Sequence, residues 1–296
     1  MTDDRRRPFA GAVLVLGAAA LWATFGLFAK ALYARGFTPI ELASIRAWIG
    51  WLGVAAIAAR RPARLRIAPR DLPLFLLYGV IGFAIFEYLY FLAMERTTVA
   101  IAVALLYTAP AFVALLSRVL WREAVTGAKL AALGAVLCGV MLVTGAIRSL
   151  AAGDARISPA AALIGLGAGF AYALYTIFSK IALRRYDALG ALFWSFGFAA
   201  LFLAVLAPPL APALRTPAAI PLLLGLGLVP TLLAYFLYLI GLRRLQPTTA
   251  SMLACAEPVI ATLLAGALLG ERISAEQVLG MALIVGAAAS LARRAG

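Results

Sequence analysis

Ten apolar runs of about twenty residues each follow one another along this chain, the length needed to cross roughly 30 Å of hydrocarbon as a helix. They cover approximately 9–33, 39–59, 72–94, 98–117, 127–147, 158–183, 188–210, 218–242, 247–269 and 275–292. The connections between them are short, which leaves no room for a sizeable water-soluble domain. Hydrophobic residues make up 65% of the 296 and the mean hydropathy is +1.02, whereas an ordinary soluble domain is about 45–50% apolar. No packed core absorbs that excess, so lipid has to be part of the solvent. In lipid every backbone polar group needs an internal partner, and only helices or closed barrels provide one. Runs of this length specify helices, and the expected fold is an all-α membrane protein.

The chain also repeats itself. Gly17-Ala-Ala-Ala-Leu-Trp-Ala-Thr-Phe-Gly-Leu-Phe-Ala-Lys30 aligns with Gly167-Ala-Gly-Phe-Ala-Tyr-Ala-Leu-Tyr-Thr-Ile-Phe-Ser-Lys180. Pro73 matches Pro221, Gly79 matches Gly227, Tyr90 matches Tyr238, Pro110 matches Pro258 and Glu123 matches Glu271. Each repeat holds five spans. An odd number forces the second copy to cross the membrane in the opposite sense, and inverted repeats of this kind build many secondary transporters. The expected architecture is therefore ten transmembrane helices as two inverted five-helix repeats, 1–147 and 158–296. The polar linker 148–157 lies on the non-cytoplasmic face.

Net charge is +14, but its distribution argues against nucleic acid. Arginines gather at alternate loop ends: Arg5–Arg7, Arg60–Arg70, Arg118–Lys129, Arg184–Arg185, Arg243–Arg244 and Arg293–Arg294. The intervening loops carry few. The positive-inside rule then puts both termini in the cytoplasm. Arg5-Arg-Arg7 before an apolar run resembles a signal peptide, but no convincing cleavage site follows, and the run is expected to stay as the first helix.

Chemistry-bearing motifs are sparse. Histidine is absent, which removes His metal ligands and His proton relays. Gly165-Leu-Gly167-Ala-Gly169 follows no strand and lies in an apolar run, so it is not a dinucleotide loop. No P-loop, zinc-ligand pair or Ser-His-Asp set is visible, and no cofactor or metal is expected. Cys138 and Cys255 both lie in apolar runs, where small core residues are the expectation.

The informative residues are polar groups inside spans, since a central charge costs about 2.5–3.5 kcal/mol on insertion scales. Glu257 directly precedes Pro258 in the ninth run. Glu87 lies beside Tyr88 and Tyr90 in the third, and Arg46 lies two turns into the second. Lys30 and Lys180 occupy matched positions and either snorkel to the interface or face a cavity. Trp22, Tyr107 and Tyr172 sit near mid-depth, too deep for an interfacial belt; Tyr78, Tyr175, Tyr235 and Tyr238 join them inside spans. Pro110, Pro230 and Pro258 interrupt helices four, eight and nine. Near Pro110 and Pro258 the breaks free carbonyls that a substrate ammonium could use. The proposed ligand set is Trp22, Tyr78, Tyr107, Tyr172, Tyr175 and Glu257, with Glu87, Tyr90, Lys30 and Lys180 as secondary candidates.

The ten-span plan, Pro247-Thr-Thr-Ala-Ser-Met-Leu-Ala-Cys-Ala-Glu-Pro258 and Leu268-Leu-Gly-Glu271 resemble the drug/metabolite transporter superfamily with two EamA-type repeats. The first copy departs: Tyr107-Thr-Ala-Pro110 has Ala109 where the second has Glu257, which removes a symmetric acidic pair. Within the superfamily the chain is most similar to YddG-type exporters of aromatic and other neutral amino acids. That resemblance implies export from the inner membrane through a central cavity. The expected partners are a small-molecule substrate and membrane lipid, with the chain acting as a monomer. The rival within transport is a multidrug or cationic-compound exporter, since an aromatic cavity with one glutamate also suits cations. A membrane-embedded enzyme is the rival from another class, and the chain lacks the clustered nucleophile and base it would need.

Overall fold

A proline or a hydroxyl cap opens most of the helices in this computed structural model, which describes residues 2–60, 62–153 and 158–295. The apolar helices are α1 (Pro8–Tyr33), α2 (Pro39–Ala58), α3 (Pro69–Arg96), α4 (Val99–Trp121), α5 (Gly127–Val143), α6 (Pro159–Ala182), α7 (Ala188–Leu206), α8 (Pro217–Arg244), α9 (Pro247–Leu269) and α10 (Ala275–Ala292). Thr38, Thr98, Thr126, Ser158 and Asp187 each accept a backbone N–H of the first turn that follows them, which satisfies donors the helix itself cannot. Among the described residues, nine helices are long and apolar enough to cross a bilayer. The remaining one, α5, has 17 residues, about 26 Å at 1.5 Å per residue. Gly145 at φ +74° then turns the chain into a further short helix, Ala146–Ala151. Among the described residues there is no strand. The protein is an all-α membrane protein.

Leu115, Val119, Leu163 and Val205 are 62–83% exposed. In water such a surface would be an aggregation liability, whereas in lipid it is the solvated one. Cys138 belongs to this exposed set, contrary to the expectation of a core position, and only Cys255 is buried.

The repeat found in the sequence reappears in the irregularities. In α3, a wide π-helical segment Val80–Ile85 separates Leu72–Gly79 from Phe86–Arg96. In α8, Leu228–Leu233 separates Ile220–Gly227 from Ala234–Arg244. Pro230 lies inside the second π segment, but its repeat mate in the first is Gly82, so the wide turn does not depend on proline. Likewise α4 breaks between Leu106 and Ala109, and α9 between Ala254 and Ala256. Pro110 and Pro258 sit in the first turn of the helix after each break, where a missing N–H costs nothing. Hydroxyls beside the breaks bond back to their own helices: Thr108 donates to Leu105 O at 2.6 Å, and Thr262 donates to Pro258 O at 2.9 Å.

Packing is mostly between the repeats rather than within them. Helix α1 lies on α8 and α9, and its repeat mate α6 lies on α3 and α4. Helix α2 packs against its own mate α7, and α5 against its mate α10. The matched glycines make the closest approaches possible. A Cβ on Gly79 would sit 2.4 Å from Ser195 O on α7, and one on Gly227 would sit 2.4 Å from Ile49 Cβ on α2. Neither separation is tolerable without moving a helix.

Candidate functional site

Between the two repeats lies a cavity of about 600 Å³, walled by residues of α1, α2, α3, α4, α6, α8 and α9. Trp22, Phe86, Tyr90, Tyr107, Tyr172 and Tyr235 form its aromatic wall; Arg46, Glu87 and Glu257 are its charged groups. The rings lock one another. Trp22 meets Tyr235 edge-on at 5.1 Å, and Phe86 stacks on Tyr172 at 5.1 Å. Edge and offset contacts of this kind contribute about 0.5–1.5 kcal/mol each beyond burial, so the wall is preorganised.

The charged groups are placed asymmetrically. Arg46 donates through Nη2 to Glu87 Oε1, an ion pair with 6% and 3% of the side chains exposed. Removing one partner of such a pair strands a buried charge and costs about 3–5 kcal/mol. The Arg46 guanidinium also lies over the rings of Phe25 at 5.0 Å and Phe83 at 5.3 Å. Glu257 has no such cation. The Tyr107 hydroxyl bonds with it and the Arg46 charge acts on it from farther off, and among the described residues no lysine or arginine forms a salt bridge with it.

The cavity narrows to a closed end and widens to an open one. Val99, Val143, Thr144, Glu271 and Gln277 line the mouth, and these residues follow the same membrane face as Lys30. At the other end, Tyr78, Tyr175 and Tyr238 form a buried layer. Tyr78 bonds Ser179 at 2.7 Å, Tyr238 bonds Thr176 at 2.9 Å, and the Tyr175 ring lies 5.2 Å from both Tyr78 and Tyr235. Beyond it, Lys180 Nζ donates to Leu242 O at 2.8 Å and Leu245 O at 2.6 Å. Lys129 Nζ bridges Glu123 at 2.8 Å and, in the other repeat, Gln246 at 2.7 Å.

Of the ligands expected from sequence, the structure therefore brings Trp22, Tyr107, Tyr172 and Glu257 to the cavity, with the secondary candidates Glu87 and Tyr90. Tyr78 and Tyr175 do not line it, because they pack as its floor. Lys180 belongs to the closed end. Lys30 stands in the open, its side chain 66% exposed and 3.9 Å from Glu271. Pro258 lines the wall, whereas Pro110 and Pro230 lie outside it. Sequence reasoning noted Arg46 as a costly charge inside a span, there to snorkel or to pair, and did not place it among the ligands. Oppositely charged residues buried in two neighbouring spans were the signal that joined it to Glu87.

A helical membrane protein with inverted repeats around one central, one-ended cavity is built as a membrane transporter. The chain belongs to the EamA-like transporter family, whose model matches it twice, at residues 9–145 and 159–293. It is 28% identical to an uncharacterized transporter of Archaeoglobus fulgidus, over 93% of each chain. It is 29% identical to the uncharacterized transporter YwfM of Bacillus subtilis, over 92% of this chain and 90% of the relative. It is also 31% identical to the threonine/homoserine exporter RhtA of Escherichia coli strain K12, over 86% of this chain and 80% of that one. A solved crystal structure with 24% identity shares the fold at a TM-score of 0.79, over 96% of this chain and 98% of its own. The relatives are transporters, and the chain is not an enzyme.

Proposed function

We propose that this protein exports neutral amino acids, aromatic ones included, across a bacterial-type inner membrane by alternating access, with both termini in the cytoplasm. The observation that carries the substrate class is Glu257, a half-buried carboxylate with no ion pair among the described residues, in an aromatic cavity large enough for an amino acid. The carboxylate takes an ammonium, the rings take an apolar side chain, and Tyr107 orients the acid. The relative that exports threonine and homoserine supports the same class.

Two features support alternating access. The cavity is open towards the arginine-poor face and shut towards the arginine-rich one, as an outward-facing exporter would be. The repeat-related lysines are also in opposite circumstances. Lys180 is bonded to the last carbonyls of α8 at the shut end, and Lys30 is exposed at the open end. The carbonyls that correspond to Leu242 and Leu245 in the first repeat are those of Met94 and Thr97. Exchanging the roles of the two lysines would open the inner end and close the outer one.

Counterflow in proteoliposomes tests the reading. A panel of amino acids, threonine and phenylalanine among them, is expected to exchange, and Glu257→Gln is expected to lower the rate severalfold. Exchange lowered at every pH marks Glu257 as the ammonium ligand; exchange preserved, with the response to a pH gradient abolished, would make it a proton carrier instead. Exchange of lipophilic cations with no exchange of any amino acid would establish the multidrug reading instead.

A further inference from the structure

We infer that Arg46 recognises a substrate carboxylate and so restricts this cavity to carboxylate-bearing compounds; the inference rests on the amino-acid reading above. The cavity wall has an excess of donors. Arg46 Nε and Trp22 Nε1 are both buried N–H groups without an acceptor; Trp22 packs edge-on against the Tyr235 ring, and the Arg46 guanidinium interacts with the Tyr235 hydroxyl. An unmade bond at a buried donor is costly, and both groups can only donate. Glu87 occupies the Nη2 corner of the guanidinium. Phe25 and Phe83 lie against its flat surface. Nε is the donor left without an acceptor, and the Nε–Nη2 edge, whose Nη2 is shared with Glu87, is the one that receives a carboxylate side-on.

The two ends of an amino acid thus find separate places in one cavity: its ammonium at Glu257 on α9, its carboxylate at Arg46 on α2. Glu87 plays a different part. It holds the guanidinium in place and keeps it charge-balanced when the cavity is empty. A lipophilic cation gains from Glu257 and the rings but meets Arg46 as a like charge, so Arg46 is the residue that separates amino acids from cationic compounds.

The test needs no variant at first. Each exchanged amino acid is compared with its carboxamide as a competitor of counterflow, since the amide keeps the ammonium and side chain and loses only the anionic end. The amide is expected to compete at least tenfold more weakly. The second arm uses Arg46→Gln with Glu87→Gln, which keeps the pair neutral and hydrogen-bonded where Arg46→Ala alone would strand a buried carboxylate. In that variant KM for the amino acid is expected to rise about tenfold and the preference over the amide to vanish. Equal competition by acid and amide in the native protein, or an undiminished preference in the double variant, overturns the role of Arg46 while leaving amino-acid export standing. Failure of the native protein to exchange any amino acid overturns both.

Discussion

Replacing Lys180 with methionine should open the shut end of the cavity. The methionine keeps most of the apolar stem and deletes the two bonds to Leu242 O and Leu245 O, at 2.8 and 2.6 Å. Hydrogen bonds from charged donors contribute about 1.5–3 kcal/mol each. The site is only partly buried, and the freed carbonyls at the end of α8 regain water when the end opens. A net loss of about 2 kcal/mol is the reasonable total, and at 1.4 kcal/mol per decade this lowers the ratio of outward-open to inward-open protein about thirtyfold. The state can be read from Thr262, which lines the cavity. With Cys138 and Cys255 replaced by serine, a cysteine at Thr262 is labelled by an impermeant thiol reagent added at the open mouth. Lys180→Met should slow that labelling. Lys30→Met removes nothing from the present state beyond a 3.9 Å exposed pair, worth little, and should leave labelling as fast or faster. If both substitutions shift labelling in the same direction, or Lys180→Met leaves it unchanged, the lysines are not opposed latches and that support for alternating access is gone.

Four further outcomes follow from the same structure. Tyr107→Phe deletes the hydroxyl that faces Glu257 and should raise KM about tenfold, a charged-group hydrogen bond of roughly 1.5 kcal/mol, with membrane insertion unaltered; an unchanged KM would make Tyr107 a packing residue. Trp22→Ala opens the wall opposite Tyr235 and should weaken exchange of aromatic substrates more than of threonine, measured as a ratio of KM values. Gly79→Ala places a methyl 2.4 Å from the Ser195 backbone oxygen, and overpacking of this kind costs about 1–3 kcal/mol, which thermal unfolding in detergent should register as a lower midpoint. Cysteines at Ala34 and Gly153 should react with an impermeant reagent from outside the cell and one at Ala63 should not; the reverse pattern would refute the orientation of both termini.

What the sequence determined by itself is everything that depends on period and length. Apolar runs of about twenty residues can only be membrane helices, because the bilayer sets their length and forbids unpaired backbone. Matched positions such as Gly79 with Gly227 and Pro110 with Pro258 announce two copies, and five spans per copy announce inversion. Single mid-span polar residues pointed to a cavity because burial of charge in lipid is expensive, and Trp22, Tyr107, Tyr172 and Glu257 were legible on that ground. The tertiary structure decided what distance along the chain cannot encode. Tyr78 and Tyr175 carry the same residue type at the same apparent depth as Tyr107 and Tyr172, yet pack as the floor, because the azimuth of a helix follows from what it packs on. Lys30 and Lys180 are equivalent in sequence and opposite in environment, since one state of an inverted pair is necessarily asymmetric. The partnership of Arg46 with Glu87 joins residues 41 positions apart, a contact that only the packing of α2 against α3 creates.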